Sequence, residues 1–254
     1  DRLCREGTKF TDSYVCAPIC VPSRMGLMTG RHHQRWGIYD NIHTPEENRL
    51  WVGERTLADI LRSEGHRTGL VGKWHSSGNS LDGWKFTPRH KRGLEEFVGI
   101  AGGLSGYWEG TKLFRLRDGE YDEFASPGYL TDFFGHEAEQ FIDRHHDRPF
   151  FLFFSFNAPH APMHGLEADQ KMITATDTSP ERHRYAAMVY AIDRNVGRVL
   201  TALDRHGIAE NTLFLFLNDN GGGGSRSVRE TVHIVPVRVV PSGMGIQPGI
   251  QAAS

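Results

Sequence analysis

The sequence is short of the features that mark several large protein classes. Its 29 Lys and Arg nearly balance 31 Asp and Glu, a net charge of −2, so there is no general basic field to hold nucleic acid. The densest basic clusters, Arg89–Arg92 and Arg144–His146, are short and read as solvated faces. No apolar run reaches the roughly 20 residues of a membrane-spanning helix. Three cysteines, Cys4, Cys16 and Cys20, are too few for a disulfide framework, and their odd number leaves at least one thiol free. Cys16 and Cys20 have the spacing of a metal or redox pair, but no second pair exists to complete a zinc site. No Asp-Asp pair occurs, and no lysine follows Lys171. Histidine is abundant, at 14 residues, so a lone His carries little weight.

What is present is an alternation of strand-like and helix-like segments, long enough at 254 residues to bury a sizeable core. Asp1 to Gly7 reads as the last turns of a helix, so the sequence is expected to be a fragment. Lys9 to Val15 reads as a short strand delivering the loop that carries Cys20. Ser23 is suited to N-cap a short helix from Arg24, with Gly30 closing it. Residue 20 is then expected just before a helix N-terminus, where free N–H groups and the dipole favour an anion. Pro22 stiffens the approach, and Arg24 adds a forked, permanently charged donor. The plainer alternative is a buried cysteine in a proline-containing loop.

Thr56 to Glu64 is predicted as a helix with Thr56 and Asp59 in a capping box, an apolar face of Leu57, Ile60 and Leu61, and Gly65 as its stop. Arg67 to Gly72 follows as a strand and runs into Lys73-Trp74-His75. Ser76 to Gly128 is rich in glycine and aromatics without a clean period. It reads as loops forming a functional rim, with a hairpin near Leu113–Tyr121 turned at Arg117-Asp118-Gly119. Thr131 is predicted to cap a helix that places Phe134, Ala138, Phe141 and Ile142 on one face, ended by Pro149. Phe150 to Phe156 is apolar on both faces, the mark of a strand inside a parallel sheet, and leads into Asn157-Ala158-Pro159-His160. Ser179 and Pro180 open the longest helix, to His206, with a stripe of Tyr185, Val189, Ile192, Val196, Val199 and Leu203. Thr212 to Leu217 reads as another doubly buried strand, ending at Asn218-Asp219-Asn220-Gly221.

This alternation predicts an α/β fold with a mainly parallel sheet and helices on both faces. In such sheets ligands bind beyond the carboxyl ends of the strands. Lys73 and His75, Asn157 and His160, and Asp219 and Asn220 all follow apolar strands at once, so they are expected on one rim with the Cys20 loop. Each has a duller reading when taken singly: a solvated lysine, satisfied histidines, a tight turn at Asp219-Asn220-Gly221.

The stretch Cys20-x-Pro22-Ser23-Arg24, followed by Leu27-Met28-Thr29-Gly30-Arg31, resembles the signature of the type I sulfatases, of arylsulfatase and N-acetylgalactosamine-sulfatase type. Gly72-Lys73-Trp74-His75, Asn157-Ala158-Pro159-His160 and Asp219-Asn220-Gly221-Gly222 are similar to further family motifs and stand in family order. The resemblance implies an alkaline-phosphatase-like α/β/α sandwich, with the first strand and the C-terminal subdomain of the family outside this sequence. It implies a catalytic domain over 1–222, and residues 223–254 are expected to form an irregular tail in which Ile234-Val235-Pro236 resembles a later family strand.

The implied reaction is hydrolysis of sulfate monoesters, of carbohydrates or aryl alcohols. A formylglycine-generating enzyme would oxidise Cys20 to formylglycine, whose hydrate attacks sulfur and later expels sulfate through its second hydroxyl. By the same resemblance Arg24 steadies the diol, Lys73 and His160 bind sulfate oxygens, and His75 handles the diol proton. His160 is the preferred donor to the leaving alcohol, and Asp219, Asn220 and residue 20 hold calcium. Family members supply paired aspartates and a downstream lysine that this sequence lacks, so it is expected to bind calcium weakly and turn over aryl sulfates poorly. Two other readings stay open: a phosphonate or phosphate monoester hydrolase of the same superfamily, and a non-catalytic remnant. Family members are typically periplasmic, secreted or lysosomal, and the residues present assign no location.

Overall fold

The computed structural model describes residues 2–41, 54–75, 92–103, 105–174, 179–220 and 232–238. The helices are α1 (Arg2–Glu6), α2 (Cys20–Thr29), α3 (Leu57–Ser63), α4 (Leu130–His145), α5 (Glu167–Lys171) and α6 (Pro180–Arg205). The strands are β1 (Arg67–Lys73), β2 (Glu96–Ile100), β3 (Lys112–Arg117), β4 (Glu120–Ala125), β5 (Phe150–Ser155), β6 (Thr212–Asn218) and β7 (Val232–Arg238), in one sheet of order β4-β3-β2-β1-β5-β7-β6.

The centre of that sheet is parallel. β1 pairs β2 with Gly69 opposite Glu96, and pairs β5 with Arg67 opposite Phe150. Antiparallel strands flank it: the β3–β4 hairpin on one side, β7 and then β6 on the other. The apolar run of β5 explains the layering. Phe150, Leu152 and Phe154 pack with Phe134, Phe141, Ile192 and Val199 of α4 and α6, while Phe151 and Phe153 pack with Val21, Met25 and Met28 of α2. A strand with two apolar faces needs cover on both, and the helices supply it. The carboxyl ends of the central strands also crowd together. A Cβ on Gly72 would lie 1.9 Å from the carbonyl oxygen of Ser155, so only glycine lets β1 and β5 converge there.

Local chemistry accounts for several boundaries. Thr56 and Asp59 form the expected capping box: Thr56 Oγ1 accepts from Asp59 N at 3.1 Å, and the Asp59 carboxylate accepts from Thr56 N at 2.8 Å. Ser179 caps α6 with Pro180 in its first turn. The hairpin turns at Asp118 (φ 52°) and Gly119 (φ 85°), the paired positive φ of a type I′ turn.

Other expectations are corrected. Lys9 to Val15 is exposed and forms no strand. α2 begins at Cys20, not Arg24, with Ile19 at its cap, because the Ser23 hydroxyl turns to the backbone of Asp219 instead of to its own helix. Gly30 does end α2, at φ 67°. Thr131 lies inside the first turn of α4, whose cap position is Tyr129. Ile60 is exposed, leaving Leu57 and Leu61 as the partly buried face of α3. The buried stripe of α6 is rotated towards Ala187, Met188, Ala191 and Asn195, which leaves Val189 exposed and Tyr185 half-buried. β2 lies fully buried in a segment read as loops. β6, read as doubly buried, exposes Leu213, Leu215 and Phe216 by 56%, 41% and 50%, because it forms an edge of the sheet. β7 comes from the stretch read as an irregular tail. Among the described residues, no helix is long and apolar enough to cross a membrane.

Candidate active site

The carboxyl ends of β1 and β5 meet the N-terminus of α2. Cys20 is the first residue of α2 and only 7% exposed. The positive end of the helix dipole points at that position, although Val21 N already donates to Asn41 Oδ1 at 3.1 Å and Pro22 has no N–H to offer. Lys73 closes β1 and extends its ammonium inward, so that Nζ lies 3.5 Å from Cys20 Sγ. Both Lys73 and Arg24 are fully buried.

Arg24, one turn into α2, is held from three sides. Its Nη1 donates to the carbonyl oxygens of Lys73 (2.8 Å) and Trp74 (3.2 Å) and to Ser155 Oγ (3.0 Å), and its Nη2 also donates to Ser155 Oγ at 3.0 Å. Its Nε faces the Asp219 carboxylate at 3.3 Å. Ser155 completes the clamp by donating its hydroxyl to the Lys73 carbonyl at 2.7 Å. The Ser23 hydroxyl donates to the Asp219 carbonyl oxygen, fastening the end of β6 to α2. Among the described residues, one buried carboxylate here stands against two buried cations.

His75 follows β1 in a left-handed conformation, φ 44°, with its ring buried. Neither ring nitrogen has a hydrogen-bond partner among the described residues. Gly103, on the loop after β2, packs against this ring so closely that a Cβ there would fall 2.3 Å from Cε1. His160 is half-buried on the loop after β5, its Nδ1 donating to the Ala161 carbonyl at 2.9 Å. Tyr107 steadies that loop: its hydroxyl lies 2.9 Å from the carbonyl oxygen of Asn157 and 2.7 Å from that of His160. Asn157 in turn donates from Nδ2 to Ser105 Oγ at 3.2 Å.

The electrostatics follow from burial. Burial pulls the Lys73 pKa down, and the nearby Arg24 charge pulls it further. Burial also lowers Arg24, although Asp219 opposes the shift. His75 is pushed down to about 2, first by burial and then by the charges of Lys73 and Arg24, so its imidazole is neutral at physiological pH. A compact anion placed among these groups would relieve their repulsion.

Of the residues singled out from sequence, Cys20, Arg24, Lys73 and Asp219 are brought together through direct contacts, and His75 lies within the fields of Lys73, Arg24 and His160. Asn220 lies half-buried beside Asp219. Asp219 and Asn220 offer one carboxylate and one amide oxygen, whereas calcium takes six to eight oxygens. No group of three His, Cys, Asp or Glu suited to a metal occurs among the described residues. These residues by themselves fit only part of a calcium shell. Ser155, Gly103 and Tyr107 were not singled out from the sequence. Of these only Ser155 leaves a signal, as the one polar residue in the apolar run Phe150–Phe156.

The sulfatase family model matches residues 1–233. Human N-acetylgalactosamine-6-sulfatase is 32% identical over 245 residues, covering 87% of this chain and 44% of that protein. The Escherichia coli protein described as the uncharacterized sulfatase YdeN is 31% identical over 240 residues, covering 86% of this chain and 42% of its own length. Among solved structures, Ps i-CgsB in complex with k-i-k-neocarrahexaose superposes with a TM-score of 0.73 at 27% identity, over 92% of this chain and 58% of that one. The chain thus spans less than half the length of these curated relatives.

Proposed function

The chain belongs to the sulfatase family, and from that premise we propose that this site hydrolyses sulfate monoesters of saccharides. The fold is the alkaline-phosphatase-like α/β/α sandwich of the sulfatases. The observation that carries the proposal is the convergence of two fully buried cations, Lys73 and Arg24, on Cys20 at the start of a helix. Buried cations without matching carboxylates are costly. A sulfate group, with its spread of negative oxygens, matches them. The saccharide class rests on the oligosaccharide bound by Ps i-CgsB and on the N-acetylgalactosamine-6-sulfatases.

In this reading a formylglycine-generating enzyme is the maturation partner, and residue 20 once oxidised supplies a hydrated carbonyl oxygen as nucleophile. Lys73 lies against that residue and holds a sulfate oxygen while negative charge builds on it. Arg24 contributes charge without reorganising, since Ser155, Asp219 and two carbonyls already fix its guanidinium. His75, neutral and with both nitrogens uncommitted among the described residues, takes the proton of the nucleophile. His160, anchored through Nδ1 to Ala161, acts in its imidazolium form: Nε2–H holds the ester oxygen of the sulfate and passes its proton to the leaving alcohol. Asp219 and Asn220 offer calcium two of its oxygens, and no step is routed through the ion.

The test is production of the chain with a formylglycine-generating enzyme and assay against 4-nitrophenyl sulfate, N-acetylgalactosamine 6-sulfate and 4-nitrophenyl phosphate. Slow sulfate release that disappears in Cys20→Ala is expected. Faster release of phosphate would favour the phosphomonoester reading. No turnover of any ester after verified conversion of Cys20 would favour the non-catalytic one.

A further inference from the structure

The loop that leaves the carboxyl end of β2 touches the site twice and then turns outward. Gly103 lies on the ring of His75, and Tyr107 holds the carbonyls of Asn157 and His160. The next residue, Trp108, is 43% exposed. Its indole rests against Tyr129 (centroids 5.2 Å apart) and His164 (6.1 Å), and the Tyr129 hydroxyl donates to the His164 carbonyl at 2.9 Å. His164 is four residues beyond His160 on the same loop. A large aromatic ring is therefore held in place from behind, open in front, and continuous with both histidines of the site. Phe10 and Tyr14 are also exposed but lie in a segment without regular structure, and Phe216 is exposed on the edge strand β6.

We propose that Trp108, backed by Tyr129 and His164, is the platform for the pyranose ring that carries the sulfate. The apolar C–H face of a sugar fits an indole face, and a pre-braced ring loses little freedom on binding. The platform is built of aromatic rings, so it suits the neutral ring of the sugar, while the sulfate is left to Lys73 and residue 20. This inference rests on the sulfatase reading and adds to it the residue that recognises the sugar.

Titration calorimetry on the full, unconverted chain separates the two ideas, with inorganic sulfate and N-acetylgalactosamine 6-sulfate as probes. Trp108→Ala is expected to weaken saccharide binding about tenfold more than sulfate binding, the effect of one aromatic stacking contact. Trp108→Phe should recover part of the loss. Equal changes for both probes would overturn the platform and leave the sulfatase reading standing. Failure of the wild-type chain to bind either probe would sink that reading and the platform with it. If Trp108→Ala does not fold, saturation-transfer NMR on the wild-type chain decides: irradiating indole protons should label the sugar ring protons, and no transfer would refute the proposal.

Discussion

Lys73 Nζ lies 3.5 Å from Cys20 Sγ, with the lysine fully buried and the cysteine nearly so, joining the last residue of β1 to the first residue of α2. Two elements far apart in the chain are thereby locked around one reactive atom. The Asp219 carboxylate, which acts on Lys73 through its charge, is also paired with Arg24 at 3.3 Å. Among the described residues, two buried cations and one carboxylate therefore stand beside residue 20.

If residue 20 is converted to formylglycine as proposed, the burial of Cys20 sets when that happens. An enzyme cannot reach a side chain in the first turn of a packed helix, so conversion is expected before folding. Co-expression with a formylglycine-generating enzyme should give an aldehyde at residue 20, with Cys4 and Cys16 remaining thiols, by peptide mass spectrometry. The same enzyme added to the purified, folded chain should leave Cys20 intact. Conversion of Cys4 or Cys16, or none at Cys20 under conditions that convert a control sulfatase, would refute this.

His75 makes the fold sensitive to acid. Its pKa is about 2 when folded against 6.5 in a free chain, so between these values the unfolded state binds a proton that the folded state does not. Stability contributed by the neutral ring is complete above pH 6.5 and falls as pH drops. From pH 6.5 to 5 the loss should be about 2 kcal/mol, read by urea denaturation. His75→Gln should flatten that slope. Glu96 adds to the loss only at lower pH: burial raises its pKa, but hydrogen bonds from His145 and Arg144 outweigh this and hold it at about 2.

Ser155 should behave as a positioning residue. Ser155→Ala removes the acceptor of two guanidinium N–H groups and leaves them buried. A loss of about 2 kcal/mol in stability is expected from such charged hydrogen bonds. In the converted chain, kcat for 4-nitrophenyl sulfate should fall more than KM rises, and Ser155→Thr should restore part of it. An unchanged kcat would mean that Arg24 needs no clamp.

Two glycines offer a matched contrast. Gly103→Ala would drive a methyl into the His75 ring, so the ring must move. The ¹⁵N shifts of His75 should change and turnover of the converted chain should drop at least tenfold. Gly197 lies in α6 with open space where its Cβ would be. Gly197→Ala should raise stability by roughly 0.5–1 kcal/mol and leave turnover alone. Similar behaviour of the two variants would remove the special role assigned to Gly103.

What the sequence determined by itself was local or periodic. The two-faced apolar run of β5, the Thr56–Asp59 box, Ser179 with Pro180, and Gly30 each act within a few residues, so their outcome needs no knowledge of the rest. The polar residues placed after β1, β5 and β6 were legible because a parallel sheet puts strand ends on one edge. Tertiary structure decided the remainder. β2 is short, contains a glycine and begins with a glutamate, and can lie buried because Arg67 of β1, Arg117 of β3, and Arg144 and His145 of α4 surround Glu96. β6 has the composition of an interior strand, yet its place at the sheet edge, set by strand order, exposes it. Ser155 binds Arg24 across a separation of 131 residues, and Gly103 meets His75 through the packing of two loops. Such contacts depend on register and strand order, which no local preference encodes, because their energy exists only once distant segments share one edge of the sheet.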